Sequence, residues 1–114
     1  LQDRHENKYS SKIRYMKAYV REHYAQEISL NDLAEELGMN AIYLSQLFKR
    51  EMGIAFSQYV TRVRIENAME LLKQGKYKVY EVSELVGYQT VQYFSKVFKK
   101  ETGKNPKDFE KRGE

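Results

Sequence analysis

The chain has no cysteine and a single proline, and each scarcity narrows what it can be. Without cysteine there is no disulfide framework, no thiolate metal site and no cysteine nucleophile. Histidine is scarce as well. His5 and His23 stand apart with no spacing partner for a metal, so neither metal nor cofactor is expected. No apolar run approaches the roughly 20 residues that a membrane helix needs. No signal peptide opens the chain. A cytoplasmic setting with no membrane partner is therefore the expectation. Strand-like alternation is rare, and Leu, Lys, Glu, Gln and Ala are common, so an all-α fold follows. The 114 residues hold one domain or two very small lobes. Leu1 rather than Met opens the chain, which points to a piece of a longer protein.

The chain states one pattern twice. Leu33-Ala34-Glu35-Glu36-Leu37-Gly38-Met39 returns 49 residues later as Val82-Ser83-Glu84-Leu85-Val86-Gly87-Tyr88. Tyr43-Leu44-Ser45-Gln46-Leu47-Phe48-Lys49-Arg50-Glu51-Met52-Gly53 returns 50 residues later as Tyr93-Phe94-Ser95-Lys96-Val97-Phe98-Lys99-Lys100-Glu101-Thr102-Gly103. The slip of one residue puts an extra position in the second turn. Each copy reads helix, Gly turn, helix.

The pattern predicts seven helices. The first runs from about Ser10 to Tyr24, with Ile13, Met16, Val20 and Tyr24 on one face. The second starts at Ser29, whose S-x-x-D spacing to Asp32 is a capping box, and ends at Gly38. Leu30, Leu33, Ala34 and Leu37 are its expected buried stripe. Asn40 caps the third, which continues to about Glu51. The fourth is the longest, from about Phe56 to Gln74, with no Gly or Pro inside. Its apolar residues form two sets, Phe56, Tyr59, Val60 and Val63, then Ile65, Ala68, Met69, Leu71 and Leu72. The sets point in different directions, so this helix is expected to pack into both lobes. The fifth covers about Val79 to Val86. Thr90 caps the sixth, which runs to about Thr102. Asn105-Pro106 starts a short seventh, to about Arg112, because Pro suits the first helical position. The expected organisation is a linker end at residues 1–8, a first helix-turn-helix lobe at 9–54, a linker helix at 55–75 and a second lobe at 76–114.

A helix-turn-helix holds its second helix at a fixed angle, so that this helix can enter a major groove. Ala34 and Ser83 supply the small residue where the helices cross. Gly38 and Gly87 supply the turn, and Phe48 and Phe98 pin the second helix from behind. The outward residues are then free for base edges. These are Ala41, Ile42, Ser45 and Gln46 in the first copy, and Val91, Gln92, Ser95 and Lys96 in the second. Asn40, Lys49, Thr90, Lys99 and Arg62 are the candidates for the DNA backbone. The net charge of +4 is modest, but residues 91–112 gather Lys96, Lys99, Lys100, Lys104, Lys107, Lys111 and Arg112 against three acids. That balance suits phosphate contact. The acidic run Glu27, Asp32, Glu35 and Glu36 reads as a solvated face, with RNA polymerase as its candidate partner otherwise. The ten tyrosines are expected to be mainly structural, with Tyr59 and Tyr93 at core-facing spacing.

The motifs now quoted resemble the DNA-binding domain of the AraC/XylS family of bacterial transcription regulators. The pattern continues through Tyr59-Val60, Arg64-Ile65, Ala68, Leu71-Leu72, Val79 and Gly103-Lys104-Asn105-Pro106 to Phe109, and covers about residues 9–112. The resemblance implies seven helices, two helix-turn-helix lobes joined by the fourth helix, and helices 3 and 6 in neighbouring major grooves. By the same resemblance Arg64 braces the junction of the lobes. Ala55 stands where the family often has a Ser cap, and Gln92 where many members have Ser or Asn. Helix 3 offers no Trp or Arg outward, so its discrimination is expected to be modest. The wording Tyr80-Glu81-Val82-Ser83 resembles the YesN-type response regulators, which implies a receiver domain upstream. A sugar-binding cupin domain is the alternative.

Sequence-specific binding of duplex promoter DNA by a monomeric fragment is the leading expectation. A DNA-alkylation repair enzyme sharing this domain needs an acceptor Cys, which is lacking, so no enzyme is expected. A helical protein-interaction module is the remaining rival. It lacks the steep salt dependence that phosphate contacts impose.

Overall fold

The computed structural model describes residues 9–110. Among these residues the chain forms seven helices and no strand: α1 (Ser11–His23), α2 (Leu30–Glu36), α3 (Ala41–Met52), α4 (Phe56–Gln74), α5 (Val79–Leu85), α6 (Val91–Thr102) and α7 (Pro106–Phe109). The expected linker end at 1–8 lies outside the described residues, as do residues 111–112 of the expected α7, but that helix already ends at Phe109, with Glu110 extended, shorter than expected.

Two compact units divide the chain. The first holds the described residues up to His23 and then Glu27–Val60, and the second holds Tyr24–Gln26 and the chain from Thr61 onward. In the first unit α1 buries Ile13, Met16 and Val20, which repeat at helical spacing. α1 and α2 both pack on α3. Phe48 of α3 is fully buried. It meets Phe56 edge-on with centroids 5.3 Å apart, and Tyr59 at 5.6 Å. The Ser10 amide donates to Glu51 Oε1 at 2.8 Å, which ties the start of α1 to the end of α3.

The second core gathers Ile65, Ala68 and Leu72 of α4, Val82 of α5, Val86 and Tyr88 of the turn, and Phe94 and Phe98 of α6. Burying each phenylalanine stabilises the unit by about 2–3 kcal/mol. Met69, Leu71 and Phe109 pack against its edge. The two apolar sets of α4 therefore serve different cores. Phe56 and Tyr59 lie against Phe48, while Leu71 and Leu72 join the second cluster. On α2 only Leu33 and Ala34 are fully buried, whereas Leu30 and Leu37 are half-buried, because a two-turn helix covers a narrow strip.

One expectation about α1 needs correcting. Tyr24 does not continue its buried face. α1 stops at His23, and Tyr24 packs against the second core. Arg64 explains this. Its Nε donates to the Tyr24 carbonyl at 2.6 Å and its Nη2 to the Gln26 carbonyl at 2.9 Å. These bonds are charge-assisted and satisfy carbonyls just beyond the helix end. The guanidinium also sits 5.2 Å from the Tyr88 ring centre. Gly87 presses on the same loop, and a Cβ there would lie 2.8 Å from the Ala25 carbonyl oxygen. Residues 24–26 are thus held within the second unit by an arginine and a missing side chain.

Candidate nucleic-acid interface

The two helix-turn-helix copies are built by the same local chemistry. At the first turn the Gly38 amide donates to Glu35 O and the Met39 amide to Ala34 O, at 3.1 and 2.8 Å. At the second, Gly87 donates to Glu84 O and Tyr88 to Ser83 O, at 3.1 and 3.0 Å. Each pair is a Schellman closure, which requires a left-handed residue. Gly38 at φ 67° and Gly87 at φ 103° provide it without a Cβ penalty. Ala34 and Ser83, at the crossing point, are both buried. Ser83 adds a long bond of 3.4 Å from its hydroxyl to the Thr90 carbonyl.

The entries to α2 and α5 differ. Ser29 Oγ accepts from the Asp32 amide at 3.1 Å, the hydroxyl half of a capping box. α5 uses the carboxylate half, with the Lys78 amide donating to Glu81 Oε1 at 2.8 Å. The entries to α3 and α6 match. Asn40 Oδ1 accepts from the Tyr43 amide, and Thr90 Oγ1 from the Tyr93 amide, both at 3.1 Å. Their assignment to the DNA backbone acquires a constraint from this. The capping oxygens are engaged, so only the Asn40 side-chain N–H groups and the Thr90 hydroxyl proton remain to meet a phosphate.

Above the buried Leu44 and Phe48, α3 exposes Ile42, Gln46 and Lys49 and half-buries Ala41 and Ser45. Above the buried Phe94 and Phe98, α6 exposes Gln92, Lys96 and Lys99 and half-buries Val91 and Ser95. All ten candidates on the two helices therefore lie on partly or fully open faces, with the same gradation in each copy. Arg62 is exposed on α4 and belongs to neither helix.

Tyr93 is a second correction. It is 59% exposed rather than core-facing, and its repeat partner Tyr43 is 49% exposed. Both sit one turn into α3 and α6, so they are open residues that the sequence reading missed. The signal was present in their identical repeat position. Spacing alone assigns a tyrosine poorly, because its ring is apolar and its hydroxyl is at home in water. Tyr88, by contrast, is buried, and that burial pushes its phenol above the usual value although Arg64 opposes the shift. Tyr15 is raised by its hydrogen bond to Glu36, a link from α1 to α2.

The geometry matches known proteins. A model of the helix-turn-helix domain matches residues 33–112. The C-terminal domain of AraT, a response regulator from Geobacillus stearothermophilus, is 38% identical, with a TM-score of 0.83 over 88% of this chain and 84% of that one. The transcriptional regulatory protein YesN of Bacillus subtilis is 49% identical over 78 residues, which is 67% of this chain and 21% of YesN. The chain thus spans about a fifth of that relative's length. The DNA-binding domain of AdpA, solved in complex with a target DNA, shares the fold at a TM-score of 0.80 and 23% identity.

Two helix-turn-helix copies with matched turns, caps and open second helices define a DNA-binding domain of a transcription regulator. The chain belongs to the AraC family of bacterial transcription regulators. Among the described residues no group of three or more His, Cys, Asp or Glu side chains forms a metal site. No helix among them is long and apolar enough to cross a membrane.

Proposed function

We propose that α3 and α6 enter successive major grooves of promoter DNA, and that the chain is the output domain of a two-component response regulator. The matched open faces carry the first part. Positions 42, 46 and 49, like 92, 96 and 99, stand clear above buried pairs on one helix face. Similarity to the C-terminal domain of AraT, itself a response regulator, supports the second. A receiver domain in the same polypeptide is the partner this implies. Lys49, Lys99 and Arg62 supply charge to phosphates, and Asn40 and Thr90 supply N–H and O–H donors.

The two helices differ in what they offer to bases. Gln92 can pair bidentate with adenine, and Lys96 can donate to guanine O6 and N7, each good pair being worth about 1–3 kcal/mol of discrimination. On α3, Ile42 offers apolar contact to a thymine methyl, and among the base-edge candidates there Gln46 is the bidentate side chain. Gln92 and Lys96 are therefore expected to discriminate more than any pair on α3. Binding-site selection with Gln92→Ala, Lys96→Ala and Gln46→Ala tests the ranking. Stronger loss of preference from Gln46→Ala than from either α6 change would reverse it.

A further inference from the structure

A groove of about 910 Å³ lies beside α6 in the second unit. Its walls include Lys78 just before α5, Tyr80 on α5, Val91 and Ser95 of α6, and Pro106 and Lys107 of α7. Val91 and Ser95 are on the face assigned to base edges, so the groove is continuous with that face. Lys78 and Lys107 are exposed, and Tyr80 is 57% exposed. We propose that this groove seats one strand of duplex DNA, with the Lys78 and Lys107 ammonium groups and the Tyr80 hydroxyl on its phosphates. The proposal rests on the reading of α6 as a groove-entering helix.

Two carboxylates also line the groove, Asp108 and Glu110. Asp108 Oδ2 accepts from the Asn105 amide at 3.1 Å and caps α7, so its carboxylate is fixed in place but also opposes an incoming phosphate. Glu110 opposes an incoming phosphate, so its neutralisation is expected to tighten binding. The cation pair is specific to the second copy. Across the repeat, Lys78, Tyr80 and Lys107 correspond to Ser29, Asn31 and Ser57. None of those three carries charge. The groove cations are thus a phosphate-contacting feature that the second unit has and the matching positions of the first lack.

The test is the salt dependence of binding to duplex DNA of unrelated sequence. Wild type is compared with Lys78→Ala, Lys107→Ala, the double variant, Glu110→Gln, and Lys76→Ala, an exposed lysine outside the groove. Matched thermal melting verifies folding, and Lys78→Gln with Lys107→Gln serve the same comparison if an alanine variant melts early. Each groove lysine is expected to lower the log–log salt slope by about 1, and the pair by about 2. Lys76→Ala is expected to lower it by less than half as much, and Glu110→Gln to strengthen binding. An unchanged slope in the double variant, or an equal loss from Lys76→Ala, would overturn the groove while leaving the DNA reading intact. Salt-independent binding by the wild type would overturn the DNA reading itself.

Discussion

Gly38 and Gly87 look interchangeable in the repeat, and the structure separates them. A Cβ on Gly38 meets nothing within 4 Å, whereas one on Gly87 meets the Ala25 backbone at 2.8 Å. Gly38→Ala bears only the left-handed penalty, on the order of 1–2 kcal/mol. Gly87→Ala adds overpacking against rigid backbone, about 1–3 kcal/mol more. Denaturant unfolding of the two variants should show the larger loss at Gly87, and equal losses would mean that the 24–26 loop yields freely. This contact was not legible in the sequence. A glycine announces a turn, but nothing local announces which distant backbone leans on it. Arg64 is similar. Its family position was readable, yet its partners Tyr24 and Gln26 lie 40 and 38 residues away. The same neighbourhood gives a pH expectation. Burial raises the Tyr88 phenol above 10.0 in the folded chain. Its contribution to stability is therefore complete below the unfolded value and is lost as pH rises through the folded one. A base titration followed by phenolate absorbance should show Tyr15 and Tyr88 ionising late, and Tyr88→Phe should remove one of these two late groups. An unchanged number of late-ionising groups in the variant would assign the shift elsewhere.

Among the elements, the helices were the most legible part, because their ends are set by local chemistry. α4 begins at Phe56 and ends at Gln74 as the apolar pattern and the following Gly75 predict. Asn40 and Thr90 cap α3 and α6 as their side chains suggest. Tyr43 and Tyr93 were harder, because a helix surface and a helix core both accept tyrosine. The groove beside α6 was illegible for another reason: Lys78, just before α5, and Lys107, on α7, are brought to it by tertiary packing. The caps give a prediction of their own. Asn40→Ala and Thr90→Ala are each expected to cost about 1 kcal/mol of stability. Because the same side chains keep a donor free for phosphate, each is also expected to weaken DNA binding beyond what the stability loss explains. Affinity measured well below the melting temperature separates the effects. Unchanged affinity with reduced stability would leave the two residues as caps alone.

For the whole molecule, the repeat is the fact from which the proposed function follows. One chain carries two copies of the helix-turn-helix, and on the proposed reading each copy serves one half-site of the DNA. A single copy of the chain is then expected to bind an asymmetric site. Dimer symmetry, and with it a palindromic operator, is not required. B-DNA presents successive major grooves about 34 Å apart on one face. Occupying both from a smaller separation would require bending, at a cost on the order of 1–6 kcal/mol. The direct measurement is a footprint of the isolated chain on a selected duplex, with stoichiometry determined on the same complex. The expected result is one chain per duplex, protecting two major grooves on one face with centres about 10 bp apart. Protection of a single groove, or binding that needs two chains on a symmetric site, would contradict it.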